Sequence, residues 1–526
     1  MSRREEQVGF VTTATIQGVE AVPVTVEVSV GAGLPGIHIV GMPDTAIQEA
    51  KQRVRQSLKA AGFEMRNRFV VVNLAPGSVK KVGSGFDLPI ALGFLIATGQ
   101  IDSGLVRGRL CVGELSLDGS VKAIFGQLAY EQIAQEQGLG LMTGPTVAGV
   151  FTRRGQEHVC LGHLSDLREG CFAEPEPASP FDSGRGADYS DIAGNDLAKR
   201  ALQIAAAGSH GLLMVGPPGS GKTMLASRLP SILPPLSEEE CVESALIHSV
   251  AGLPFERILQ GERPFRAPHH GASRAGLIGG GNPTRAGEVS LAHNGVLFLD
   301  ELPEFGSSVL QLLRQPMEQN FVTLARANGT VTFPARFMLI AASNPCPCGF
   351  YGDPKRGCTC TPPQISRYQG RVGGPLMDRI GITVDVWRSD AAHVLNTGRG
   401  TTSAQLREGV MRARAFAAWR QAREKVQEPR DVSCASACDV PVEASAADAV
   451  ASGAGAALLA SCRLGTKERA SLEMMAERYQ LSGRGIMGAL AVARTIADME
   501  ESERVTGDHL LEAVGFRKND REAAAA

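Results

Sequence analysis

Over the first 170 residues the chain alternates short β-like runs with helical stretches. "VPVTVEVSV" (22–30), "FVVVNLAP" (69–76) and "LCVGELSLDG" (110–119) predict strands, and 44–61 carries helical periodicity. A stretch rich in Pro, Gly and charge, "AEPEPASPFDSGRGA" (173–187), then reads as a linker. From 192 to 386 continuous apolar runs interleave with helices, the pattern of a parallel α/β sheet. Beyond 401 helical periodicity dominates, broken by an Ala-, Ser- and Val-biased segment at 431–461. No internal repeat is visible. The expected division is 1–172, a linker 173–187, an α/β core 188–390 and a helical part 391–526.

Three apolar runs of the central part end in residues that carry chemistry. "GLLMV" (211–215) leads into "GPPGSGKT" (216–223) and then a helix, giving strand, phosphate loop and helix. Gly216, Pro217, Pro218, Gly219, Ser220 and Gly221 form a loop whose backbone N–H groups can wrap phosphates. Lys222 would reach the β/γ-phosphates and Thr223 would hold Mg²⁺. "GVLFLDE" (295–301) delivers Asp300 for the Mg²⁺ shell and Glu301 as general base toward water. "FMLIAASN" (337–344) places Asn344 where it could orient that water. These are the parts of an ATPase.

Between the second and third runs stands "VTLARANGTVTF" (322–333), a predicted β-hairpin. A two-residue Asn328-Gly329 turn would set Arg326 opposite Val331 and Leu324 opposite Phe333, with an arginine near the tip. Directly after Asn344, "CPCGFYGDPKRGCTC" gathers Cys346, Cys348, Cys358 and Cys360. Four thiolates at such close spacing suit tetrahedral Zn²⁺, with reduced structural thiols or a redox pair as alternatives.

Composition narrows the partners. Lys and Arg number 53 against 55 Asp and Glu, a net charge of −2, so the chain is no general polycation and any polyanion site must be local. Aromatic residues make up 5%, too few for base stacking to dominate recognition. No apolar run approaches a membrane span and the start lacks a signal-peptide pattern, so the cytoplasm is the expected location. An odd total of 11 cysteines is no disulfide framework.

Taken together, "DIAGNDLAKRALQIAAAGSHGLLMVGPPGSGKTMLASRLP", "RPFRAPHH", "GEVSLAHNGVLFLDELPEF", "VTFPARFMLIAASNPCPCG", "GPLMDRI" and "LSGRGIMGALAVARTIADM" resemble the magnesium-chelatase-like AAA+ ATPases of the ComM/YifB type. N-terminal "GLPGIHIVGMPD", "VNLAPGSVKKVGSGFDLPIAL" and "CVGELSLDGSV" are similar to that family's Lon-protease-like domain. The resemblance implies an α/β fold, with an AAA+ P-loop core between a Lon-like α+β domain and a C-terminal helical lid. It further implies ATP and Mg²⁺ as cofactors, a homo-oligomeric ring of the hexameric kind, and DNA, single-stranded or branched, as partner in helicase or branch-migration activity. A chelatase-type motor remodelling a protein partner is the alternative.

By match to the family motifs, Arg379 in "GPLMDRI" is the arginine finger given to a neighbouring subunit, and Arg484 in "LSGRG" is a second sensor on the lid. In the wider clade the hairpin before the first sensor strand enters the ring's pore, which assigns Arg326 to DNA. Lys80 and Lys81 are modest further DNA candidates on the Lon-like domain. A peptidase is not expected, because Gly85 stands where the Lon serine belongs and the Lys position falls near Leu128. Gly381, Asn195 and Gly271 depart from the family pattern without removing a catalytic group.

Overall fold

The computed structural model describes residues 8–65, 68–147, 149–177, 187–281, 284–326, 329–388, 400–427 and 455–517. Most of the expected linker and of the 431–461 segment lies outside these residues, as does Asn328.

The N-terminal part contributes strands β1 (Val8–Gln17), β2 (Glu20–Gly31), β3 (Gly36–Val40), β4 (Phe69–Ala75), β5 (Arg109–Cys111), β6 (Glu114–Leu115), β7 (Val121–Lys122), β8 (Gly140–Thr143) and β9 (His158–Cys160). Seven of them form one mixed sheet in the order β3-β4-β2-β1-β5-β8-β9, while β6 and β7 make a separate ribbon. Buried residues alternate along β2 (Val24, Val26, Val28, Val30), so one face meets a core and the other is polar. The helix Thr45–Ala60 starts where the Asp44 side chain accepts from the Ile47 N–H at 2.9 Å. It buries Ile47, Ala50, Val54 and Leu58, one stripe at helical spacing. Beside it the fully buried helix Asp87–Ala97 keeps its only charge, Asp87, paired with Arg53 Nε at 2.6 Å.

The central part supplies β10 (Leu212–Val215), β11 (Phe265–Arg266), β12 (Gly279–Gly280), β13 (Arg285–Ala286), β14 (Gly295–Leu299), β15 (Phe321–Arg326), β16 (Gly329–Pro334), β17 (Phe337–Ser343) and β18 (Ile382–Asp385). A five-stranded parallel sheet runs β11-β14-β17-β10-β18. Its strands are buried on both faces: Leu212, Met214, Phe298 and Ile340 join one core, and Leu213, Leu297, Leu299 and Leu339 join another. Parallel crossovers bring the ends of β10, β14 and β17 together at one edge, where such sheets bind ligands.

The C-terminal helices Ser403–Gln427, Gly455–Cys462, Thr466–Arg478, Gly483–Met499 and Gly507–Gly515 share the first of these cores through Leu490, Val492 and Ile496. Gly483–Met499 pins itself with Arg494, which is 1% exposed and bonded to Asp498 and to the carbonyls of Ser461 and Glu503.

Two expectations need correction. The ribbon β15–β16 exists, but it pairs Leu324 with Val331, Val322 with Phe333 and Arg326 with Gly329, two residues away from the expected register. This register sets the two most buried residues of the ribbon, Val322 and Phe333, directly against each other at its base, and that packing outweighs the local preference for an Asn-Gly turn. Lys81, in turn, is fully buried and its Nζ donates to the Pro76 carbonyl, so it offers nothing to a polynucleotide. Lys80 remains half-buried.

Candidate nucleotide site

The phosphate loop leaves β10 with Gly216, where a Cβ would collide with the Val386 carbonyl oxygen, so only glycine fits. Gly219 and Gly221 take φ of +74° and +92°, turning the chain into the helix Lys222–Ser227. Lys222 is buried and its Nζ donates to the carbonyls of Gly216 (2.8 Å) and Pro217 (3.0 Å) and to Asn344 Oδ1 (3.3 Å). The ammonium is thus held over the loop, and it touches the residue expected to sense the γ-phosphate. Ser220 Oγ is buried without a protein partner among the described residues, an orphan that a phosphate oxygen would satisfy.

β14 leads directly into Asp300, whose Oδ2 accepts from Thr223 Oγ1 at 2.8 Å. A hydroxyl and a carboxylate brought together from two elements are the oxygen donors that Mg²⁺ takes in phosphate-loop enzymes, so the donor set fits that ion. Glu301 adopts φ +51° and its N–H donates to Asp300 Oδ1 at 2.9 Å. That left-handed turn separates the two carboxylates: Asp300 faces Thr223, while Glu301, half exposed, lies 3.4 Å from His270 Nδ1. Sequence reasoning had no signal for His270 beyond its place in "APHH", because the contact joins two turns far apart along the chain.

Arg379 and Arg484 lie elsewhere. Arg379 stands three residues before β18, at the end where the Gly381 N–H donates to the Gly211 carbonyl at 3.0 Å, just ahead of β10. The phosphate loop begins at the far end of the same strand, five residues on, or about 17 Å away at ~3.3 Å per residue. Both arginines pair with one carboxylate, Glu318: Arg379 in close contact and Arg484 Nη2 at 3.6 Å. They border a cavity of about 240 Å³ that also takes Arg336, Arg414, Arg517 and Asp378. Burial pushes the Arg517 guanidinium below its ordinary pKa, with Asp378 opposing the shift. Glu318, missed in the sequence, has the plain role of balancing charge there.

In the arginine-containing stretch 263–285, Arg263 is committed to Glu240 and the Asn294 carbonyl, and Arg266 to Glu288, whereas Arg274 and Arg285 are exposed. Arg326 has its backbone in β15 and its side chain outside the described residues. The ribbon leans on the N-terminal sheet, since a Cβ at Gly18 would come 2.9 Å from Val331 Cγ1. In the N-terminal part, a Cβ at Gly85 would lie 2.5 Å from Ile124 Cδ1 and 3.0 Å from Val112 Cγ2, so a larger side chain there would have to displace both. Leu128 is spent on a cluster with Leu236, Cys241, Ala245 and Ile258. The four cysteines of 346–360 have Sγ atoms all within 4.8 Å of one another. No helix among the described residues is long and apolar enough to cross a membrane.

Three family models match successive parts of the chain: "Subunit ChlI of Mg-chelatase" over 26–145, "Magnesium chelatase, subunit ChlI" over 188–394 and "Magnesium chelatase, subunit ChlI C-terminal" over 400–517. The protein YifB of Escherichia coli (strain K12) is 37% identical over 520 residues, 97% of each chain. Competence protein ComM of Haemophilus influenzae is 38% identical over 513 residues, 95% of each chain. The magnesium-chelatase 67 kDa subunit of Chlorobaculum parvum is 28% identical over 198 residues, 37% of this chain and 26% of that protein. Likeness to YifB and ComM over nearly the whole chain, with three magnesium-chelatase models matched in succession, shows that the chain belongs to the ComM/YifB family of magnesium-chelatase-like AAA+ ATPases.

Proposed function

We propose that the protein is an ATP- and Mg²⁺-dependent motor that works as a homo-oligomeric ring, a hexamer, on branched or single-stranded DNA during recombination or natural transformation in the cytoplasm. In this reading, residues 1–172 are a non-proteolytic Lon-like domain joined by 173–187 to an AAA+ core (188–390) and a helical lid (391–526). Gly216 to Thr223 hold the nucleotide, and Thr223 and Asp300 hold Mg²⁺, which neutralises charge on the β- and γ-oxygens when bound. Lys222 leaves its carbonyl partners for phosphate. Glu301 takes a proton from the attacking water, and Asn344 orients that water.

One observation carries the ring: Arg379 and Arg484 sit together at the opposite sheet edge from their own phosphate loop. A side chain of roughly 7 Å cannot cross about 17 Å, so the charge these arginines supply must go to another subunit's nucleotide. Arg484 therefore serves beside Arg379 across the interface rather than within its own subunit. DNA as the track is supported by likeness to a competence protein and by the ribbon with Arg326 beside the sensor strand. The likeness to a magnesium-chelatase subunit over the core favours a second reading, remodelling of a protein partner.

Branch migration of a labelled Holliday junction tests the reading. The wild type should resolve the junction with ATP, and Lys222→Ala should lose all ATP-dependent product. ATPase that rises with a chelatase partner and never with any polynucleotide would favour the second reading.

A further inference from the structure

Between Asn344 and the helix Pro362–Gly370, the chain passes through a loop with little core of its own. Residues 351–360 are half-buried or exposed throughout, yet the loop turns back so that Cys346, Cys348, Cys358 and Cys360 converge. Their Sγ separations are 3.4 Å for Cys346–Cys348, 3.7 Å for Cys346–Cys358 and 3.6 Å for Cys348–Cys358. A disulfide would bring one pair to about 2.05 Å. An iron–sulfur cluster would hold the four sulfurs apart by its own width. A single tetrahedral ion with metal–sulfur bonds of ~2.3 Å places its ligand sulfurs about 3.8 Å apart, and the observed spacing matches that case.

The backbone supports thiolates at these positions. The Tyr351 N–H donates to Cys346 Sγ at 3.3 Å and the Cys360 N–H to Cys358 Sγ at 3.4 Å, the outer contacts that orient metal-bound sulfur. Gly349, at φ +83°, reverses the chain after the first pair. Four thiolates gathered without a cation would repel one another, so the loop needs an ion to hold this shape.

What the loop touches gives the ion a purpose. Gly349 lies against the phosphate loop: a Cβ there would be 2.6 Å from Pro218 Cδ. Arg388 donates from Nε (3.1 Å) and Nη2 (3.0 Å) to the Pro218 carbonyl, and its guanidinium lies 5.4 Å from the centre of the Phe350 ring. On the near side, Asn344 stands two residues before the first cysteine and accepts from Lys222. Gln369 Nε2 ties the Pro345 carbonyl at 3.1 Å.

We propose that Cys346, Cys348, Cys358 and Cys360 bind one Zn²⁺, and that this zinc knuckle braces the phosphate loop through Gly349, Phe350 and Arg388 while fixing Asn344 against Lys222. The bracing role rests on reading 216–223 as the ATP site; the zinc site does not. Zinc here is structural, with all four positions filled by protein sulfur and none open to substrate.

The test uses the full chain purified without chelator. Elemental analysis should find about one zinc per chain, released when a mercurial titrates the thiols. Affinity for a fluorescent ATP analogue should weaken by about ten-fold or more after treatment with 1,10-phenanthroline and recover when Zn²⁺ is returned. Cys360→His should keep metal and affinity, and Cys360→Ser should lower both. If the serine variant aggregates, the chelated and reloaded wild type still decides. Folded protein with only traces of zinc, or with iron in its place, overturns the metal assignment. Zinc that can be removed with no change in nucleotide affinity overturns the brace. A chain that holds zinc but never binds ATP overturns the phosphate-loop reading and the brace with it, and leaves the metal site standing.

Discussion

At the scale of single residues, the contacts that gather around the phosphate loop were legible in the sequence because they depend on near neighbours along buried strands. Gly216 is demanded by backbone contact, and Lys222, Thr223 and Asp300 by the ends of two buried strands. Residues whose meaning depends on distant partners were not legible. Lys81 is buried, His270 reaches Glu301, and Glu318 gathers two arginines. His210 belongs to the same group. It is 2% exposed and bonded to Thr495 at 2.8 Å, at the join between core and lid. Burial, with Arg517 and Arg414 nearby, pushes its pKa down to about 4 from 6.5. The unfolded chain would take up this proton below about 6.5 while the folded chain refuses it until about 4, so the unfolded state binds more protons in that window. Stability is therefore lost as pH falls from 6.5 toward 4, by on the order of 3 kcal/mol from His210. Thermal unfolding should show Tm falling over this range, and His210→Gln should fall less steeply; equal slopes would remove His210 as a cause.

At the scale of elements, the three central strands were readable from uninterrupted apolar runs, since parallel strands covered on both faces need no alternation. Pairing was harder. The ribbon β15–β16 was visible, but its register follows Val322 and Phe333, which meet at the base where no local turn signal can reach. Phe333→Ala should accordingly destabilise the protein by about 3–5 kcal/mol, as for other large buried aromatics. The tip has the opposite expectation. Arg326→Ala should leave ATPase without DNA unchanged, weaken DNA binding regardless of base sequence, and reduce the salt dependence of binding by about one unit of slope per subunit engaged. An unchanged salt slope in a filter-binding series would remove the ribbon from the DNA path.

For the whole molecule, the proposed ring would divide catalysis between sheet edges and make each active site the property of two copies. Lys222→Ala disables the nucleotide side and keeps its arginines; Arg379→Ala does the reverse. Either variant alone should be nearly inactive, the second by about 10³-fold or more. Mixed at equal amounts and allowed to reassemble, they should regain roughly a quarter of wild-type ATPase, because about one interface in four then joins an intact loop to an intact finger. No recovery on mixing would place both groups within one subunit. The sequence allowed this only through family likeness, because nothing in "GPLMDRI" itself says which nucleotide Arg379 faces.

The contact around Leu128 has a practical consequence for anyone dividing the chain. The helix Gln127–Glu136 is bonded to Glu238–Ala251 through the Gly126 N–H on the Ser249 carbonyl at 2.9 Å, and Leu128 seals Leu236, Cys241 and Ile258 from water. A fragment that begins after residue 172 would bare that oily seam and turn sticky in solution, so a well-behaved fragment stripped of its front half requires polar replacements at those positions first.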